Sequence, residues 1–422
     1  MGETQLFRIE MLGHRGDGIG RLVSPDAATS PDTAYIPFTL PGETVRISAG
    51  NPGEQPVEIV SASCDRAEPF CEHFTRCGGC QLQHMAQPAY LEWKTSLLAA
   101  ALEREGIPTP LQPIRHYPQA SRRRCVLTAQ QSGSQWLLGY SGRRSHNIID
   151  ISACPVLRAE LEATLPAVRN LLHVLGRHGI GRKGTVRIIL LAAENGVDCA
   201  ISFGGKASDR LIREVPRDET ARHFPRISLN GETVYERQRP VLKAGLALAT
   251  PPPGGFSQAV EAAEEDMASL VCQHLSGCKK VADLFCGFGA FALRLAQNSL
   301  VHAAESDQAS LDALDRAWRE TGGRLKTVNH ERRDLFRRPF MVAELKQFDG
   351  VVFDPPRAGA EAQCRALANS AVKKIAAVSC NPQTLARDLR ILCDGRYRLK
   401  SITPIDQFAH TPHMEAVALL ER

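Results

Sequence analysis

Two segments set a reactive side chain against an apolar run. Val378-Ser379-Cys380-Asn381-Pro382 ends such a run on a thiol, and His413-Met414-Glu415-Ala416-Val417-Ala418 opens another on a carboxylate. Methylating nitrogen needs no thiol, but methylating the C5 carbon of a pyrimidine does, because that carbon is a poor nucleophile. Thiolate addition at C6 creates an enolate with its charge at C5, which can attack an electrophilic methyl group. A base must then remove the C5 proton before the thiol is expelled, and Glu415 is the candidate. Buried cysteines are commonly inert packing residues, so strand position alone leaves both roles open for Cys380. Its Ser-Cys-Asn-Pro setting favours the reactive one.

A methyl donor has a candidate seat. Asp283-Leu284-Phe285-Cys286-Gly287-Phe288-Gly289-Ala290-Phe291 follows a predicted strand and opens a predicted helix, so its glycines let backbone approach a ligand. Glu305 lies 22 residues beyond Asp283, at the end of the next predicted strand, where an acid commonly bonds ribose hydroxyls. An acid on either side of the loop suits S-adenosyl-L-methionine, which has no pyrophosphate and carries a cationic sulfonium. A glycine loop that merely caps a helix is the bland alternative. Asp354-Pro355-Pro356-Arg357 follows Val351-Val352-Phe353 and falls at the same strand edge. Asp-Pro-Pro also occurs in methyltransferases acting on exocyclic amines, usually with an aromatic residue next; Arg357 and the thiol disfavour that chemistry here.

The elements that must hold these residues come in three textures. After Pro251-Pro252-Pro253-Gly254-Gly255, predicted strands at 281–285, 301–304, 351–353 and 375–378 alternate with helices, including one running to 297 and one at 310–320. That cadence predicts an α/β, Rossmann-like doubly wound sheet over 254–422. Residues 1–62 read as short strands (6–11, 34–38, 44–47, 57–60) between turns, an OB-like small β-barrel that binds single-stranded nucleic acid or is purely structural. Residues 63–250 read as a mixed α+β region with a cysteine-dense start, helices at 88–105 and 160–175, and strands at 187–191 and 199–203. A length of 422 residues accommodates three such domains.

Composition narrows the setting. With 43% hydrophobic and 23% charged residues the chain reads as an ordinary globular protein. No apolar run reaches the roughly 18 residues of a membrane helix, and the first residues lack a secretory pattern, so a cytoplasmic location with no membrane association is predicted. In a reducing cytosol, 13 cysteines point to metal ligands, catalysis or packing rather than disulfides. The net charge of +5 is uninformative as a total, but residues 101–150 hold 7 basic against 3 acidic side chains while residues 1–100 hold 7 against 12.

Taken in order, the motifs resemble those of the RNA (uracil-C5) methyltransferases, most closely the 23S rRNA members with an N-terminal TRAM domain and an iron–sulfur cluster. The likeness spans nearly the whole chain. Gly16-Asp17-Gly18-Ile19-Gly20-Arg21 and Leu40-Pro41-Gly42-Glu43 look like TRAM, and Cys77-Gly78-Gly79-Cys80-Gln81-Leu82-Gln83-His84 like the cluster motif. The loop from Asp283, the Asp-Pro-Pro motif, the stretch from Ser379 to Asp388 and His410-Thr411-Pro412-His413-Met414-Glu415 look like the catalytic set of a class I methyltransferase. The resemblance implies Cys380 as nucleophile and Glu415 as base, in agreement with the chemical argument. It implies contact with the methyl donor from Gln258, Phe285, Glu305, Asp334 and Asp354, beside the loop glycine Gly287. Ala290 and Ala259-Val260 stand where the family often has Asn and Val-Asn, which bears on donor affinity more than on reaction type.

Cys71, Cys77 and Cys80 supply three thiolates within ten residues, and Cys154 matches the family's fourth ligand. Four thiolates suit a [4Fe-4S] cluster, with a zinc site as the rival and Cys64 left unligated. Ser121-Arg122-Arg123-Arg124 and Arg143-Arg144-Ser145-His146 are the expected phosphate contacts, unless they are merely solvated. The predicted partner is RNA, with 23S rRNA favoured over tRNA, and no protein partner is predicted for a chain expected to be monomeric. The readings from other classes are a non-catalytic RNA-binding or assembly factor and an amino-group methyltransferase.

Overall fold

The computed structural model describes residues 4–23, 33–48, 57–107 and 111–422. Parts of the predicted first domain, residues 1–3, 24–32 and 49–56, lie outside them. The chain divides into two compact units. The smaller comprises Met1–Leu97 with Ser141–Asn147 and Phe408–Pro412, and the larger comprises the rest.

In the smaller unit, five antiparallel strands lie in the order Thr33–Ile36, Gly18–Leu22, Thr4–Leu12, Thr44–Ser48, Glu58–Ser61. Side chains alternate: Phe7, Ile9, Ala34, Ile36, Val45 and Ile47 form a core, while Arg8, Glu10, Tyr35 and Arg46 face out. Gly18 is required by close approach, since a Cβ there would come 2.1 Å from Thr39 Oγ1. Among the described residues no ladder joins the two edge strands.

The larger unit holds two large sheets. Within residues 111–250, whose fold the sequence pattern does not name, residues 124–236 build a seven-stranded mixed sheet in the order Glu232–Glu236, Arg226–Leu229, Gly196–Ser202, Val186–Ala193, Arg124–Ser132, Gln135–Ser141, Ile148–Asp150. Leu161, Val168, Leu171 and Leu172 pack on Leu127, Ile188 and Leu190 of this sheet. The single helix predicted at 160–175 is two helices, Ala159–Ala163 and Leu165–Arg177. Pro166, in the first turn of the second, has no N–H to continue the first ladder and suits a new start.

The second sheet has the order Val328–Arg332, Leu300–Glu305, Lys280–Leu284, Gly350–Phe353, Lys374–Ser379, Glu415–Glu421, Arg398–Asp406, with the short Arg115–His116 at the far edge. Only Glu415–Glu421 runs against the others. The central strands are apolar on both faces, as a sheet covered on both sides requires. Val281 and Val301 contribute to one core, with helix Glu261–His274, while Ala282, Leu284 and Ala304 contribute to the other. The doubly wound α/β expectation is met, although the helix predicted to reach residue 297 is only the single turn Ala292–Leu295. Among the described residues no helix is long and apolar enough to cross a membrane.

Candidate active site

In a sheet buried on both faces, polar groups can gather only where strands end, and the strand order reverses between Lys280–Leu284 and Gly350–Phe353. Directly after the first of these strands Phe285 adopts φ 61°, a left-handed conformation rare for an aromatic residue. Gly289, at φ 99°, could not carry a side chain, because a Cβ would lie 2.4 Å from Leu314 Cδ1. At Gly287 a Cβ would meet nothing within 4 Å, so the loop is open on that side. Glu305 is tied to the loop backbone. Its Oε2 accepts from the Gly287 N–H at 3.2 Å, and its Oε1 accepts from the N–H groups of Ser306 and Asp307 at 2.6 and 3.0 Å.

Asp283 is fully buried before the loop, where the Ala292 backbone N–H is the one group that favours its charged form. Burial, with the carboxylates of Asp354 and Glu305 adding to it, raises its pKa well above the usual carboxylate range. Asp334 Oδ1 accepts from the Phe336 N–H at 3.0 Å, fixing the turn that brings the Phe336 ring within 5.4 Å of Phe285. Phe285, Leu335, Phe336, Gly359, Gln363 and Arg387 line a cavity of 340 Å³. A fully buried carboxyl, an open glycine loop and an aromatic-walled cavity fit a nucleoside ligand with a cationic centre, as S-adenosyl-L-methionine is.

Gln258, 5% exposed, donates from Nε2 to Asp354 Oδ2 at 3.3 Å. Burial, followed by the Glu264 carboxylate, pushes the Asp354 pKa up. One strand further along the edge, Ser379 pairs with Ala416 across the antiparallel ladder, which makes Cys380 and Glu415 the next cross-strand neighbours. Cys380 is half-buried just before the helix Pro382–Asp394, whose first turn is capped by the Asn381 side chain accepting from the Gln383 N–H at 3.0 Å. Burial first, then the charges of Glu415 and Asp354, push the Cys380 thiol up to about 11, against a smaller opposing effect of Arg357. Burial and the two carboxylates therefore disfavour the thiolate here. Asn381 Nδ2 donates to the Arg357 carbonyl at 3.1 Å, locking the Asp-Pro-Pro-Arg loop onto the cysteine loop. Glu415 is 3% exposed, and its Oε1 accepts from Gln407 Nε2 at 3.0 Å.

The expected phosphate contacts need correction. Arg123 is 1% exposed and ion-paired with Glu264 at 2.6 Å, while its Nε donates to the Gln258 carbonyl at 3.1 Å. A cation committed inside the protein holds its own fold, not RNA. Arg143 and Arg144 both pair with the buried Asp17. Arg124 keeps a different character: its guanidinium lies 5.7 Å from the Phe256 ring centroid, and desolvation followed by Arg187 lowers its pKa. Cys71, Cys77 and Cys80 sit half-buried in the smaller unit and Cys154 in the larger. Among the described residues no three His, Cys, Asp or Glu side chains are gathered as a metal site. Gln407 and the Arg123–Glu264 pair carry no motif in the sequence; only contacts across the fold reveal them.

Comparison with known proteins gives this geometry a context. A sequence model of the tRNA (Uracil-5-)-methyltransferase family matches residues 250–422. The chain is 33% identical to the 23S rRNA (uracil(1939)-C(5))-methyltransferase RlmD of Pectobacterium atrosepticum, over 92% of this chain and 88% of that one. It belongs to the RNA (uracil-C5) methyltransferase family. Within that family it is 44% identical to an uncharacterized RNA methyltransferase of Agrobacterium fabrum, over 99% of this chain and all of the relative. The fold is shared with the crystal structure of a Pyrococcus abyssi tRNA (uracil-54, C5)-methyltransferase in complex with S-adenosyl-L-homocysteine, at a TM-score of 0.75 and 22% identity, covering 98% and 99% of the two chains.

Proposed function

We propose that this enzyme methylates C5 of a uridine in RNA, with Cys380 as nucleophile and Glu415 as base. The carrying observation is their cross-strand adjacency at the strand edge where Asp354, Gln258 and the glycine loop also end. Gln258, Phe285, Gly287, Glu305, Asp334 and Asp354 would hold S-adenosyl-L-methionine. When bound, that molecule supplies an electrophilic methyl group. Cys380 loses its proton to solvent and its Sγ bonds to C6 of the uracil, the C5–C6 π electrons moving to place negative charge at C5. Once C5 carries its new substituent, Glu415 takes the C5 proton, the electron pair restores the C5–C6 double bond, and the thiolate leaves. The target base must be unstacked from folded RNA to reach the half-buried thiol.

The RNA is proposed to be 23S rRNA, on the strength of the 33% identity to RlmD, with tRNA as the alternative. Mapping 5-methyluridine in rRNA and tRNA from cells lacking the protein decides between them, and loss of the mark from neither overturns the reading. A Cys380→Ala enzyme that still methylates overturns the mechanism. From the sequence alone, Cys71, Cys77, Cys80 and Cys154 are proposed as the donor set of a [4Fe-4S] cluster. No step above depends on it.

A further inference from the structure

Gln407 follows the strand Arg398–Asp406, is 2% exposed, and has its amide oxygen and both amide N–H groups engaged. Its Oε1 accepts from the Ala259 N–H at 3.0 Å. Its Nε2 donates to Gln258 Oε1 at 2.7 Å and to Glu415 Oε1 at 3.0 Å. The polarity of this chain of contacts is forced. A backbone N–H can only donate, so the Gln407 atom facing Ala259 must be oxygen, and its two N–H groups must face the other way. Gln258 must then present oxygen to Gln407, which leaves its own Nε2 to donate to Asp354. The carboxylate of Glu415, an acceptor when ionised, agrees with that orientation from the opposite end.

We propose that Gln407 is a positioning residue that fixes the amide of the donor-site glutamine Gln258 and the carboxylate of the base Glu415 as one hydrogen-bonded unit. The inference rests on the roles assigned above to Gln258 and Glu415. The segment Gln258-Ala259 is gripped from the other side too, since Arg123 Nε donates to the Gln258 carbonyl and the Arg123 N–H to the Ala259 carbonyl at 2.8 Å. Backbone position is thus secured without Gln407, and what Gln407 adds is a hold on the direction of two functional side chains. A buried network of this kind rigidifies when every member is satisfied.

Two variants test this. Gln407→Met keeps length and removes all three hydrogen bonds. Gln407→Glu keeps an acceptor for the Ala259 N–H but offers no donor to Gln258 or Glu415. In both full-length proteins, calorimetry with S-adenosyl-L-homocysteine is expected to show binding weakened roughly 5-fold, the effect of one lost hydrogen bond. With RNA from cells lacking the enzyme, a protein–RNA adduct stable to denaturant accumulates because proton removal slows. Wild-type donor affinity and adduct level in either variant overturn the proposal. So does a uniform loss of active protein with no adduct, which would mark Gln407 as a packing residue. If Gln407→Met does not fold, Gln407→Glu decides alone. If wild-type enzyme leaves uracil unmethylated, the functional reading fails, and the calorimetry still judges the hold of Gln407 on Gln258.

Discussion

Replacing Glu415 by Gln should make Cys380 more acidic. The thiol sits at about 11 because it is desolvated and faces the carboxylates of Glu415 and Asp354. Cys380 and Glu415 are neighbours on adjacent strands, a separation of roughly 6 Å. A unit charge at that distance is worth about 0.7 kcal/mol in water and about 2.8 kcal/mol at an effective dielectric near 20, which is about half a unit to two units of pKa. The sign follows from the charged form: thiolate is repelled by carboxylate, so removing the carboxylate lowers the pKa. At pH near 8 a drop of about one unit raises the thiolate fraction about 10-fold, and alkylation rate follows that fraction. Timed iodoacetamide labelling across pH, read by mass spectrometry of the peptide holding Cys380, measures both midpoints in the presence of the other twelve cysteines. Equal midpoints in wild type and Glu415→Gln refute the electrostatic account, as does a wild-type midpoint near the ordinary thiol value of about 8.5.

Other perturbations test separate parts of the structure. Arg123→Met leaves the buried Glu264 with Arg294 as its remaining cation partner among the described residues and is expected to lower unfolding free energy by about 3 kcal/mol in urea titration, with weaker donor binding because Gln258 loses its carbonyl anchor. Gly139→Ala drives a Cβ to 2.0 Å from the Ile149 carbonyl oxygen and is expected to cost more than about 2 kcal/mol in the same assay. Arg122→Ala with Arg124→Ala is expected to weaken RNA binding and reduce its salt slope by about 1 per lost phosphate contact; an unchanged slope excludes them as phosphate contacts. Anaerobically purified protein is expected to contain iron and to absorb broadly in the visible, and iron-free, colourless protein excludes the proposed cluster.

The strand-end motifs were legible because local pattern alone decides them. An apolar run followed by Asp283, Asp354 or Cys380 announces a buried strand and the point where it surfaces, and the parallel sheet then collects those points at one edge. What the sequence concealed are pairings between distant residues. Arg123 reads as the middle of a basic run until Glu264, 141 residues on, is found beside it in the core. Arg143 reads as a phosphate ligand until its partner Asp17, 126 residues earlier, is seen. Gln407 follows Asp406 with no periodicity to single it out, and its meaning comes entirely from Gln258, 149 residues before it.

The one reversed strand of the catalytic sheet has a consequence for how the enzyme comes into being. Arg398–Asp406 and Glu415–Glu421 form a hairpin whose second arm lies beside the strand leading to the thiol. The glycine loop and the cysteine strand are synthesised first and can assemble from their own parallel ladders. Glu415, the proposed proton acceptor, takes its place beside Cys380 only when the hairpin has closed and docked. On the proposed mechanism a chain arrested before that step would hold a nucleophile with no means of release, so assembly of the hairpin would also be the moment at which the protein acquires turnover.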